Sequence, residues 1–199
     1  MHKSGVFSKL SLSVPSLLFW IAVALFDHSL YTAATIVAAI LHELGHIAVI
    51  RLCGMRVTEI TVLPYGLEIR TSRPPASFFE DIAVNAAGCA VNFLSVPVFY
   101  LLCVVIPGKT GEFFSLLSAA SLILGVLNSL PVSTLDGGCV LEAFLSLIFS
   151  YSSVYLITRL LGFFTLVTVW ILSVYVFMFS GYNYSLFAMC LWLFARLFC

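Results

Sequence analysis

The chain has 199 residues, of which 62% are apolar and 9% charged, with zero formal net charge and a mean hydropathy of +1.13. An ordinary soluble domain is about a quarter charged, so the composition excludes a water-soluble globular fold, and the balanced charge offers no basic surface for nucleic acid. Hydrophobic segments use nearly all of the length, which predicts one integral membrane domain over residues 1–199 in contact with the lipid bilayer.

A helix needs ~20 apolar residues to cross a bilayer. Lys3 and Lys9 precede an apolar run that superficially resembles a signal peptide. No small-residue cleavage site closes that run and Asp27-His28 follows it, which predicts a retained first span over about residues 14–26. Span 2, about residues 30–53, ends at Cys53-Gly54. A polar stretch over 55–81 breaks the pattern. Within it, residues 57–63 and 67–70 read as two short strands around a Pro64-Tyr65-Gly66 turn. Span 3 covers about 82–106 and stops at Pro107-Gly108. Span 4 begins near Phe113, is interrupted by Pro131 and by Asp136-Gly137-Gly138, and resumes as an apolar helix over 140–149. Spans 5 and 6 cover about 154–179 and 184–198. The expected fold class is an all-α polytopic membrane protein of about six transmembrane helices, with a short β-strand pair between helices 2 and 3 and a broken helix 4. The six cysteines show no CxxC pairing and read as reduced packing residues.

Six spans put the N-terminus, residues 55–81, the start of span 5 and the C-terminus on one side, with Lys3, Lys9, Arg51, Arg56, Arg70, Arg73, Arg159 and Arg196. Lys109 alone remains for the other. The positive-inside rule then places both termini in the cytoplasm, as for a multi-pass protein of a bacterial cell membrane. His46 lies seven residues before the end of span 2, about 10 Å from the cytoplasmic face at the helical rise.

Span 2 carries His42-Glu43-Leu44-Gly45-His46 inside an otherwise apolar run. On a helix the two histidines face the same way. Two imidazoles so placed grip one zinc ion, and Glu43 beside them is a general base for water. Interhelical hydrogen bonding by the histidines is the plain alternative, but three polar groups in five residues at lipid depth are costly and functional suspects. A catalytic zinc needs a third protein ligand. Asp27, Glu59, Glu68, Glu80, Asp81, Glu112 and Glu142 lie mostly in loops or at span ends. Asp136 is set in a hydrophobic span where Gly137-Gly138 can unwind the helix beside a cavity. Its alternative role is an N-cap for the helix near Val140. Asn128 and Asn92 are intramembrane amides, and Asn92 reads as a packing residue.

The HELGH pentapeptide, together with Asn128-Ser129-Leu130-Pro131-Val132-Ser133-Thr134-Leu135-Asp136-Gly137-Gly138, resembles the two signatures of site-2 proteases, the intramembrane zinc metalloproteases. The match covers roughly spans 2 to 4, a core over 30–149. The layout, without an inserted PDZ domain, is closest to the branch of the stage IV sporulation protease, which releases a sigma factor from its precursor. The resemblance implies one zinc ion per chain held by His42, His46 and Asp136, Glu43 as general base, and Asn128 near the substrate carbonyl. It implies as partner a transmembrane protein substrate, such as a membrane-tethered transcription factor, sigma factor or anti-sigma factor. Two features depart from it: Cys89 stands where the family often has proline before Asn92, and the CBS domain common in the sporulation branch is not expected here. The strand pair over 57–70 would either hold the substrate extended by strand addition or cover the site. The rival functions are a membrane zinc transporter, which would need polar groups along a continuous path, and an inactive protease-like binding protein, which an altered Glu43 would favour.

Overall fold

The computed structural model describes residues 9–12, 14, 16–18, 21, 29–63 and 66–180. Their elements run β1 (Lys9–Leu12), α1 (Leu30–Leu52), β2 (Val57–Leu63), β3 (Gly66–Thr71), α2 (Phe78–Val105), α3 (Lys109–Asn128), α4 (Asp136–Leu145) and α5 (Tyr151–Ser180). The chain divides into two compact units, 1–126 and 127–199.

Helices α1, α2, α3 and α5 are long and apolar enough to cross a membrane, which fits an integral membrane protein. Their large apolar side chains face outward, among them Leu94 and Val105 on α2 and Met178 and Phe179 on α5. A soluble protein would bury such a surface; lipid solvates it. These four helices match the expected spans 2 and 3, the first half of span 4, and span 5. The expected span over 14–26 lies largely, and that over 184–198 wholly, outside the described residues.

In the first unit, α1 starts where the Ser29 side chain accepts a bond from the Thr32 backbone N–H. It ends at Gly54, whose φ of 71° only glycine adopts cheaply. Gly45 lets α1 meet α2 backbone to side: a Cβ there would stand 2.8 Å from the Ala87 carbonyl oxygen. Ala34 and Ala38 of α1 pack with Leu117 and Ala120 of α3 in one buried cluster. A second cluster, Ile50, Met55, Val57 and Ile60, joins the end of α1 to the sheet, with Ile47, Ile69 and Val84 against it.

The sheet has three strands in the order β1-β2-β3. The expected antiparallel pair is present, with Ile60 opposite Ile69 and Thr61 opposite Glu68. β1, ahead of the expected span 1, adds a parallel strand; it pairs Lys9 with Glu59 and Ser11 with Thr61. Glu59 is thereby flanked on both sides by cations, with Lys9 Nζ at 3.0 Å and Arg70 Nη1 at 3.3 Å.

In the second unit the chain breaks over residues 129–135. The helix resumes at Asp136, four residues before the expected Val140, so Gly137 and Gly138 lie in its first turn and do not unwind it. Their lack of side chains serves close packing: a Cβ on Gly137 would stand 2.2 Å from the Ser129 carbonyl oxygen, and one on Gly138 2.0 Å from that of Val132. The broken segment is folded tightly onto the start of α4.

Candidate metal centre

His42 and His46 are one turn apart on α1, and both are buried. Their rings meet edge to face with centroids 4.8 Å apart, and the two Nε2 atoms are 3.2 Å from each other. The opposite nitrogen of each ring is held by α2. His46 Nδ1 lies 2.8 Å from the Val84 carbonyl oxygen, and His42 Nδ1 lies 3.1 Å from Asn92 Nδ2. Anchoring of Nδ1 by an outer partner is what aims Nε2 of a metal-ligating histidine.

Room for this pair is made by Gly88 of α2. A Cβ on it would lie 2.4 Å from His46 Nε2 and 2.6 Å from His42 Nε2. Any side chain at 88 would therefore crowd both Nε2 atoms. Two imidazole nitrogens converging in a buried place, each ring fixed from behind, fit a divalent transition metal of nitrogen preference, zinc among them.

Glu43 follows His42 on α1 and is half-buried. Asn128 is the last residue of α3 and Asp136 the first of α4; both are half-buried and belong to the second unit. Asp136 is flanked by Leu135, which caps α4 without a side-chain bond. An acid at that position also suits the positive end of the helix dipole. Three other candidate acids are engaged elsewhere. Glu59 and Glu68 pair with cations of the sheet, and Glu80 pairs with Arg73 at 3.0 Å and accepts the Ala76 N–H. The guanidinium of Arg73 is held above its ordinary pKa by that bond to Glu80.

The structure adds two α2 residues to the surroundings of the histidine pair, Gly88 and Asn92. Asn92, read from the sequence as an interhelical packing amide, is fully buried and makes an interhelical hydrogen bond to His42. The available signal was an amide four residues after Gly88 on a lipid-depth helix.

No protein-family model matches the chain. Over 145 residues it is 28% identical to a zinc metalloprotease of Methanocaldococcus jannaschii, an alignment covering 66% of this chain and 40% of the relative. The chain therefore spans about two-fifths of the length of that curated relative. Among solved structures it superposes on a site-2 protease from Methanocaldococcus jannaschii with a TM-score of 0.68 and 23% identity, covering 99% of this chain and 92% of the other. The chain has the site-2 protease fold. The helix bearing HELGH and the strand pair after it lie in a chain that superposes over 99% of its length.

Proposed function

We propose that the chain is an intramembrane zinc metalloprotease that hydrolyses peptide bonds within or next to transmembrane segments of membrane-protein substrates. The observation that carries this reading is the convergence of His42 and His46 Nε2 on an apolar helix, with Nδ1 of each ring anchored by α2. The site-2 protease fold and the similarity to a zinc metalloprotease support it.

In this reading His42, His46 and Asp136 would hold one zinc ion per chain, which would supply Lewis acidity toward the attacking water and the scissile carbonyl. Glu43 takes the proton from that water and passes it to the leaving amine. Asn128 donates its amide hydrogen to the carbonyl oxygen as negative charge develops there.

The substrate is a transmembrane protein that unwinds locally before cleavage. The nearest branch is the sporulation type, with a membrane-tethered sigma, anti-sigma or transcription factor as the cleaved partner. Both termini are cytoplasmic and the metal lies toward the cytoplasmic side, a reading supported by the bias of Lys and Arg.

Glu43→Gln is expected to keep zinc and fold while abolishing cleavage of a co-expressed membrane substrate, because only the proton acceptor is lost. Full activity in that variant would overturn the mechanism. Asp136→Asn is expected to lower zinc content in the purified protein; unchanged stoichiometry removes Asp136 from the site.

A further inference from the structure

A hydroxyl buried in a membrane helix ordinarily turns onto a nearby backbone carbonyl, where it finds an acceptor. Five hydroxyls are buried among the described residues. Ser16, Ser118, Thr158 and Ser173 donate to the carbonyl oxygens of Val62, Val96, Val154 and Trp170, at 2.7–3.0 Å. Ser121 of α3 does not. It has 0% exposure, and its Oγ has no hydrogen-bond partner. The other buried side-chain atom in that condition among the described residues is Oδ1 of Asn92, also in a residue at 0% exposure. The amide of Asn92 has two ends, and one of them lies 3.1 Å from His42. The far end is left over whichever way the amide is turned.

These two residues border one interior. Leu117 and Ala120 of α3 pack with Ala34 and Ala38 of α1, and Ser118 reaches the Val96 carbonyl of α2. Ser121 follows Leu117 by four residues and Ser118 by three, so it lies on both of these stripes, where the three helices meet. Four residues further on, a Cβ at Gly125 would stand 3.4 Å from Asn92 Cβ. α3 therefore meets α2 at Val96 and at Asn92. Ser121 falls between the two contacts, about 6 Å along the axis from the level of Asn92. That exceeds a direct bond and is within reach of two bonds of about 2.8 Å in series. Pro97 adds a third group: it has no N–H, so the Phe93 carbonyl, next to Asn92 in the chain, lacks its helical donor. Several polar groups around one buried place are what an internal water requires, and ordered water is one of the ways in which a proline in a membrane helix is relieved.

We propose that Asn92 and Ser121 bind one water molecule between α2 and α3, and that through it Ser121 acts as a positioning residue, bracing the amide that meets His42. The water accepts from Ser121 Oγ–H and donates its two hydrogens to Asn92 Oδ1 and the Phe93 carbonyl. It can equally accept from the amide, so the site does not depend on where His42 carries a hydrogen. The bracing of His42 rests on the reading of that residue as a zinc ligand; the water site does not.

The first test is a high-resolution crystal structure of the full-length protein, as the parent and as Ser121→Ala. A solvent peak within hydrogen-bond distance of both Asn92 and Ser121 is expected in the parent and is expected to be lost in the variant. A dry seam, or a direct bond between the two side chains, overturns the proposal. The second test is a double-mutant cycle on zinc affinity, measured by chelator competition. Ser121→Ala is expected to weaken binding about 10-fold, the lower end of the range for disturbing an outer support of a metal ligand. In Asn92→Leu, which leaves no amide to brace, the same substitution is expected to cost nothing further. Asn92→Ala provides a second background that needs no extra room. No loss in the parent background, or equal losses with and without the amide, overturns the positioning role. If the parent takes up no stoichiometric zinc, it is the metal reading that fails, while the solvent peak still decides the water site.

Discussion

A methyl group at position 88 would sit 2.4 Å from one Nε2 and 2.6 Å from the other, well inside contact distance. The rings cannot retreat without cost, since each is tied at its far nitrogen to Val84 or Asn92. Gly88→Ala is therefore expected to weaken zinc binding by about 10–100-fold, the range for disturbing the outer supports of a metal ligand, while helical content stays unchanged. Chelator competition measures the first and circular dichroism the second. Gly125→Ala is the control: its Cβ would meet the Phe93 ring at 3.2 Å, and an outward ring can give way, so zinc affinity is expected to hold. His42, Glu43 and His46 were legible in the sequence because a spacing of four on one helix needs no tertiary information. Gly88, Asn92 and the Val84 carbonyl were not, because they meet the histidines through the register of α2 on α1, which no local pattern encodes.

Strand β1 illustrates the same divide for whole elements. Lys9-Leu10-Ser11-Leu12 alternates as a strand should, but four residues are too few to outweigh the apolar run behind them, and the partner strand lies some fifty residues on. The pair β2 and β3 was legible from its own alternation and its Pro-Tyr-Gly turn. What ties β1 on is partly electrostatic. The Glu59 carboxyl is held below its ordinary pKa, first by the hydrogen bond from Lys9, with Ser11 and the charge of Arg70 adding to it against the opposing effect of desolvation. A depressed carboxylate contributes stability above its unfolded value of 4.5, and that contribution is lost as pH falls through the lower folded value. The thermal midpoint of the detergent-solubilised protein is expected to fall more steeply below pH 4.5 for the parent than for Glu59→Gln, and the two curves to run parallel above it. High salt is expected to shrink the difference, since these groups are exposed to screening.

For the molecule as a whole, the bilayer is the organising constraint, and it acts through lengths and charges that a sequence displays openly. α1 and α2, with 23 and 28 residues, span about 35 and 42 Å at the helical rise, enough for a hydrocarbon core of about 30 Å. The sheet and the segment leading into α2 stand at one end of these helices with Arg51, Arg56, Arg70 and Arg73, while Lys109 stands past the other end of α2. The break before Asp136 was legible from its Pro and Gly residues, but its placement was not. Gly137 and Gly138 suggest a helix breaker by propensity, whereas here they lie inside the first turn and make room for residues 129 and 132. The charge asymmetry predicts a single orientation in the cell, with the sheet in the cytoplasm. In a background without native cysteines, Lys109→Cys is expected to react with a membrane-impermeant thiol reagent added outside intact cells. Ala76→Cys, equally exposed on the protein, is expected to react only after the cells are opened. The reverse pattern would place the sheet outside and move the proposed metal site to the opposite leaflet, because His46 lies six residues from the end of α1 that carries Arg51, about 9 Å along the axis. Depth and sidedness of the chemistry thus follow from one labelling result.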